Sequence, residues 1–144
     1  MRKQRWGATD PRSSDRLSSV RPANTRPEQR VREFLTSIDP NFVGPENHLP
    51  GRPDFVYLHK RKIILVHGCF WHRHTGCRRT THPKKNEVLW VSKFNATINR
   101  DKRNLRLLTA QGWEVLVVWE CEVLRDCGHS LVHRIREFVN GVNV

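Results

Sequence analysis

Three candidate metal ligands, Cys69, His74 and Cys77, lie within nine positions of one another, and Cys121 follows an apolar run further along the chain. Cysteine thiolate and neutral imidazole are ligands that suit tetrahedral Zn²⁺. Four such ligands form a closed site, which holds a loop rigid without doing chemistry itself. We therefore predict one structural zinc site formed by Cys69, His74, Cys77 and Cys121.

The sequence indicates that there is a metal cluster more strongly than it indicates which residues form it. On spacing alone, Cys127 can replace Cys121, and His72 can replace His74. Cysteines are also frequently buried as small hydrophobic side chains that bind nothing. The sequence leaves these alternatives open.

A second group of candidate residues surrounds the end of a predicted β-hairpin. Asp54 stands at the start of a strand at 55–58, and Val66 ends a second strand at 62–66. Because a hairpin brings those two ends together, the Asp54 carboxylate and the Val66 backbone carbonyl are placed to share a hard cation such as Mg²⁺. The alternative is that Asp54 caps a turn.

Glu28 is predicted to lie on the apolar face of a helix that begins at Thr25 and stops at Asp39-Pro40. It is the glutamate of a Thr-x-x-Glu capping box, and it also shares a stripe with Val31 and Leu35. The capping box explains a glutamate at this position without any functional role. Both roles remain open for this carboxylate.

A long helix is predicted at about 86–111, with an apolar stripe formed by Trp90, Phe94, Ile98, Leu105 and Leu108. Asp101 lies on this stripe. A charge on such a face is costly unless it is paired or bound to a metal. An arginine partner and a catalytic role are equally consistent with the pattern. Together with His67 and His72, which suit proton transfer near neutral pH, the three carboxylates indicate a hydrolase.

The composition indicates that the partner is a polyanion. The 144 residues carry 26 Lys+Arg against 14 Asp+Glu, a formal net charge of +12, which favours nucleic acid over an anionic membrane. No segment approaches the length of a transmembrane helix, and the first residues lack the apolar run of a signal peptide. We expect a cytoplasmic protein that acts as a monomer.

The chain divides into a flexible basic arm at 1–24 and a single domain at 25–144. After the hairpin and the long helix, the apolar run 113–119 predicts a central strand, parallel to a neighbour, and 130–139 predicts a closing helix. This order indicates an α/β fold in which a small mixed sheet is flanked by helices.

Three blocks of the sequence resemble signature blocks of the very-short-patch-repair (Vsr) mismatch endonucleases. They read Leu-Pro-Gly-Arg-Pro-Asp-Phe-Val at 49–56, His-Gly-Cys-Phe-Trp-His at 67–72 and Gly-Trp-x-Val-Leu-x-Val-Trp-Glu-Cys at 112–121. The resemblance covers roughly residues 13–139 in the family's order. It implies a restriction-endonuclease-like core, a structural zinc, and Mg²⁺-dependent nicking of duplex DNA beside a T:G mismatch left by deamination of 5-methylcytosine.

The resemblance also implies roles for individual residues. Asp54 and the Val66 carbonyl match the Mg²⁺ site, and His67 and His72 match the catalytic histidines. Glu28 and Asp101 match supporting acidic positions, while Cys69, His74, Cys77 and Cys121 match the zinc ligands. Phe70, Trp71 and Trp90 match aromatic residues that enter the base stack, and Lys93, one turn beyond Trp90, is a further candidate for contact with the mismatch.

Two departures from the family pattern affect these expectations. Thr75-Gly76 makes the segment between His74 and Cys77 one residue longer than usual, so the ligand loop must bend differently. The second carboxylate and the lysine of the wider nuclease superfamily are missing at the end of the second strand.

Mismatch-repair proteins are an expected further partner. The alternatives are a non-catalytic, zinc-clamped DNA-binding module and a related nuclease with another DNA target.

Overall fold

The computed structural model describes residues 24–125 and 129–141. Its helices and strands are, in chain order, α1 (Arg26–Ile38), β1 (Phe55–Tyr57), β2 (Lys62–His67), α2 (Glu87–Ala110), β3 (Glu114–Trp119), α3 (Glu120–Leu124) and α4 (His129–Asn140). The basic arm predicted at 1–24 therefore lies almost entirely outside the described residues, as does Cys127. The short helix α3 was not predicted.

The predicted capping box is present at the start of α1. The Glu28 backbone N–H donates to Thr25 Oγ1 at 3.4 Å, and the Thr25 N–H donates to Glu28 Oε1 at 3.1 Å. These two bonds satisfy backbone donors that a helix start otherwise leaves unpaired. Val31 and Leu35, on the predicted apolar stripe, are fully buried. The helix prediction is confirmed.

The sheet is mixed, with β2 between its two neighbours. β1 is antiparallel to β2, pairing Phe55 with Ile64, and β3 is parallel to β2, pairing Val66 with Val118. The parallel pairing of the 113–119 run is confirmed, but its central position is wrong. β3 is an edge strand of the described sheet, and most of its residues are only partly buried, with Glu114 exposed.

Helices cover both faces of the sheet, and the alternation of the strands decides which residue faces which helix. One face carries Phe55, Ile64 and Val66 and packs with side chains of α1, α3 and α4. The other carries Val56 and Ile63, which cluster with Leu108 of α2. By the same alternation, Asp54 and His67 fall on the face that α2 covers. Strand periodicity therefore places Asp54 and His67 on the side of the sheet that also carries Asp101 of α2.

Two lysines, Lys60 of the turn between β1 and β2 and Lys62 at the start of β2, support the end of α4. Lys62 is buried, and its Nζ donates to the carbonyls of Phe138 and Gly141 at 2.6 and 2.7 Å. Lys60 Nζ donates to the Val139 carbonyl at 3.1 Å. These bonds satisfy carbonyls that the helix end leaves without intrahelical partners.

Among the described residues, no helix combines the length and apolar character needed to cross a lipid bilayer.

Candidate active site and metal cluster

A cavity between α2 and the sheet gathers four of the predicted catalytic residues. Asp54, His67, His72 and Asp101 all line it. Asp54 precedes β1, His67 ends β2, His72 follows in the next loop, and Asp101 comes from the middle of α2. The fold therefore brings four of the five predicted catalytic residues to one cavity, which Glu28 does not line.

Asp54 is buried at the edge of this cavity. Its Oδ2 accepts a hydrogen bond from the Val66 backbone N–H at 2.8 Å, which joins the start of β1 to the end of β2. Behind it, a Cβ added to Gly44 would overlap the Asp54 carbonyl oxygen, and Gly44 also has φ +142°, a conformation that favours glycine. The Asp54 backbone is thus packed closely against Gly44, while the Asp54 carboxylate is held by the Val66 N–H. The carboxylate bonds across the hairpin to the Val66 N–H, and the sharing of a cation with the Val66 carbonyl stays a prediction.

The rings of His67 and His72 are stacked, with centroids 3.9 Å apart and planes inclined by 7°. These two rings and Asp101 bring possible ligand atoms within 4.8 Å of one another. However, an imidazole lone pair lies in the ring plane, and two nearly parallel planes cannot both point at one ion lying between them. This geometry favours proton transfer over shared metal binding for the two histidines.

Asp101 fixes the orientation of His72. Their Nδ1 and Oδ2 atoms are 2.6 Å apart, and both side chains are largely sheltered from solvent. Because a carboxylate accepts, His72 Nδ1 carries the hydrogen, and Nε2 is left as the nitrogen for proton exchange. The sequence left an arginine partner and a catalytic role open for Asp101. The partner is His72.

Glu28 lies in a second cavity that adjoins the first. His72 lines both, and the second is also lined by Glu28, Val66, Trp71 and Glu120. Glu28 is buried and makes the capping-box bonds. The same side chain therefore caps α1 and lines this cavity. Glu120, which the sequence analysis did not select, accepts from the Cys69 N–H at 3.2 Å.

Cys69, His74, Cys77 and Cys121 form the other cluster of potential metal ligands. His74 Nδ1 lies 3.7 Å from Cys69 Sγ and 3.4 Å from Cys121 Sγ. Ligand atoms about 2.0 to 2.3 Å from a tetrahedral zinc are separated by roughly 3.5 Å, so the donor set fits zinc in both chemistry and spacing. His72 instead lies in the group with His67 and Asp101, and Gly76 of the ligand loop has φ +75°, a conformation that favours glycine.

The surroundings of these thiols differ. Burial raises the pKa of Cys69 to about 12. The Arg79 backbone N–H, 3.4 Å from the Cys77 sulfur, is the main cause that lowers the pKa of Cys77 to about 7. Zinc binds thiolates, so a cation at this site must offset the cost of ionising the buried Cys69. Cys77, with the lower pKa, forms the zinc-binding thiolate more readily than Cys69 does.

The predicted DNA-contacting aromatics form an aromatic cluster with one further residue, and its members are Phe70, Trp71, Trp90 and Phe94. Trp90 is 5% exposed and lies within 5.4 Å of Phe70 and 5.8 Å of Trp71, measured between ring centroids. Phe70 and Trp71 are partly buried, and Lys93 is exposed. In this structure the surface of the cluster is formed by the loop aromatics, and Trp90 lies beneath them.

Besides Glu120, three residues that were not predicted contact these sites. Trp119 stacks on His74 with centroids 4.1 Å apart and meets His67 edge-on at 5.3 Å, so it lies against both clusters. Lys102 lines the catalytic cavity, and Arg73 stacks on Phe94. The position of Trp119 beside Cys121 was a usable signal. No pattern in the sequence indicated the contacts of Arg73.

Comparison with known proteins gives consistent similarities. The sequence profile of the DNA mismatch endonuclease Vsr family matches residues 8–79. The chain is 44% identical over 124 residues to a type II nicking enzyme of Xanthomonas oryzae pv. oryzae, covering 86% of this chain and 89% of that one. It is 35% identical over 133 residues to the DNA mismatch endonuclease Vsr of Escherichia coli, covering 89% and 83%. A type II nicking enzyme of Neisseria meningitidis is 31% identical over 128 residues, covering 88% and 91%.

Proposed function

The chain belongs to the Vsr family of DNA mismatch endonucleases and is a DNA endonuclease; on that premise we propose that it nicks one strand of duplex DNA beside a T:G mismatch. The mismatch is the one left when 5-methylcytosine is deaminated, and the nick begins its repair. The proposed core is restriction-endonuclease-like. The observation that carries the proposed hydrolysis is the shared cavity, in which a buried aspartate lies with a stacked histidine pair whose member His72 is oriented by Asp101. The choice of a T:G mismatch is supported by the similarity to the DNA mismatch endonuclease Vsr of Escherichia coli.

We propose that Asp54 and the Val66 carbonyl hold Mg²⁺. Carboxylate and carbonyl oxygens are the donors that this hard cation prefers, and Asp54 is buried beside Val66. When bound, Mg²⁺ supplies positive charge at a phosphate oxygen and orients water. The second proposed metal is a structural zinc on Cys69, His74, Cys77 and Cys121. It joins the loop after β2 to the start of α3.

His72 is proposed to transfer the proton that hydrolysis requires. Cleaving a phosphodiester needs removal of a proton from the attacking water and delivery of one to the leaving oxygen. Asp101 keeps Nδ1 protonated and so presents Nε2, while the adjacent His67 ring is placed to take part in the second transfer. Glu28 and Glu120, which line the adjoining cavity, add negative charge that favours a bound cation.

Asp101→Asn is expected to lower the nicking rate about 100-fold, because the amide loses the charge that orients His72 and stabilises it when protonated. Affinity for T:G duplex is expected to stay unchanged, since the basic surface is intact. Single-turnover cleavage and fluorescence anisotropy measure the two quantities. A variant that cleaves at the normal rate contradicts the proposed orientation of His72.

Sequence-specific nicking of fully paired DNA is a second candidate function. It is favoured by the 44% identity to a relative that is named as a type II nicking enzyme. The catalytic cavity serves either function equally, so the difference must lie in how DNA is selected. A non-catalytic DNA-binding module is not supported, because such a module has no need for Asp101 and two histidines in one cavity.

The experiment that separates these candidates uses end-labelled duplexes that differ in one base. T:G and C:G versions of the same sequence are incubated with Mg²⁺ and, separately, with EDTA. The proposal expects one strand of the T:G duplex alone to be nicked, and only with Mg²⁺. Equal nicking of T:G and C:G duplexes supports the second candidate, and nicking in EDTA contradicts the proposed role of Mg²⁺.

Trp71→Ala is expected to weaken binding to T:G duplex by about 1 to 3 kcal/mol while binding to matched duplex changes little. Stacking of an aromatic residue offsets unpairing most readily where the helix is already weakened by a wobble pair. Anisotropy titrations in EDTA measure both affinities without cleavage. Equal losses on the two duplexes assign Trp71 to packing or to general DNA contact.

A further inference from the structure

Arg73 connects the two candidate sites along the chain and contacts the aromatic cluster in space. It lies between His72 of the catalytic cavity and His74 of the metal cluster. Its backbone has φ +54°, a left-handed conformation that is uncommon for a residue with a side chain. The Arg73 side chain reaches back over Phe70.

The guanidinium of Arg73 makes four contacts in this region. It lies 3.8 Å from the centre of the Phe94 ring and 5.4 Å from that of Phe70. One terminal nitrogen donates to the Phe70 carbonyl at 3.1 Å, and the other lies 3.1 Å from His82 Nδ1, which accepts because guanidinium only donates. The planar group therefore joins the main chain of the loop, the floor of the cluster on α2, and the segment before α2.

The surroundings of Arg73 indicate that these contacts hold the loop. Arg73 is partly buried, so the guanidinium has given up part of its hydration to take this position. A cation over an aromatic face gains more when it is partly desolvated. A lysine keeps the charge but has no planar fork with which to reach Phe70 and His82 together.

Resting on the proposed function, we propose that Arg73 is a positioning residue for mismatch recognition, which holds Phe70 and Trp71 in the arrangement that meets the base stack. A wedge that is already ordered loses less conformational freedom on insertion than a mobile one. Matched duplex is bound through its phosphates without insertion, so it gains nothing from this ordering. Arg73 therefore raises affinity for mismatched DNA alone.

The test compares Arg73→Leu and Arg73→Lys with the wild-type chain, on T:G and matched duplexes in EDTA over a range of salt concentrations. Both variants are expected to lose about fivefold to twentyfold in affinity for T:G duplex. Affinity for matched duplex and its salt dependence are expected to stay unchanged. Arg78→Leu is the matched control, because it removes one exposed positive charge from the same loop and should weaken both duplexes alike.

Three outcomes overturn the proposal. Equal losses on both duplexes with a smaller salt slope, restored by Arg73→Lys, identify Arg73 as a phosphate contact. Loss of zinc from Arg73→Leu, measured by elemental analysis, assigns it to folding of the metal loop. Unchanged affinity for both duplexes shows that the contacts have no role in recognition.

A second measurement is independent of DNA. Hydrogen exchange of the backbone amides at 70–72 in the free, zinc-loaded protein is expected to be about tenfold faster in Arg73→Leu. Unchanged exchange contradicts the positioning role. If the wild-type chain shows no preference for T:G duplex, the proposed function fails, and the exchange rates alone then decide whether Arg73 orders this loop.

Discussion

Asp54→Asn is expected to reduce nicking of T:G duplex by roughly a thousandfold or more, while binding to the same duplex is retained. Asparagine has nearly the same shape, and its amide oxygen can still accept from the Val66 N–H, so the hairpin end should stay in place. What the variant loses is the negative charge, on which the proposed Mg²⁺ site depends. Single-turnover cleavage at saturating Mg²⁺ measures the rate, and anisotropy in EDTA measures the affinity.

Asp39→Asn is the matched control for this change. Asp39 is also a partly sheltered aspartate, but it pairs with Lys60 at 2.8 Å, a residue whose Nζ also bonds the end of α4. The Lys60 hydrogen bond is the main cause that lowers the pKa of Asp39, so this carboxylate stabilises the fold above its unfolded-state pKa and loses that contribution as the pH falls. Asp39→Asn is expected to cleave normally with a lower melting temperature. Cleavage by Asp54→Asn above a few per cent of the wild-type rate places the cation elsewhere.

Elements with strong local signals were predictable from the sequence. The capping box placed the start of α1, and the spacing of Trp90, Phe94 and Leu108 identified α2 and its buried side. The edge position of β3 was not predictable, because an apolar run does not reveal how many strands flank it. Leu105, expected on the inward stripe of α2, is 41% exposed. It lines the cavity that lies between α2 and the sheet, so it is not packed tightly against a strand.

The sequence indicated which residues form the candidate site better than it indicated how they are arranged. Residue types and spacing pointed to Asp54, His72 and Asp101 and to the cysteine and histidine cluster. They could not show that His67 and His72 stack, since ring orientation depends on contacts made through the fold. The contacts of Trp119 with His67 and His74 join residues far apart in sequence. Such long-range ring contacts leave no periodic signal.

Cys121→Ser is expected to lower the zinc content from about one ion per chain to below about a tenth, and with it the melting temperature. A serine hydroxyl is a harder and much weaker zinc ligand than a thiolate, so the tetrahedral set is broken. The remaining ligands lie on the loop that carries Phe70 and Trp71, and loss of zinc frees that loop. Elemental analysis after dialysis and thermal melting by circular dichroism measure the two effects.

The loss of zinc is expected to reach the catalytic cavity as well. His74 stacks on Trp119, which in turn meets His67, so a freed His74 removes one of the supports of the catalytic ring. Nicking by Cys121→Ser should therefore fall by about 100-fold or more even where some folded protein remains. Cys127→Ser is the matched control, since it removes the same side chain six positions further on and is expected to keep zinc, stability and activity. The reverse result, zinc lost from Cys127→Ser and kept by Cys121→Ser, makes Cys127 the fourth ligand and separates the metal from Trp119 and His67.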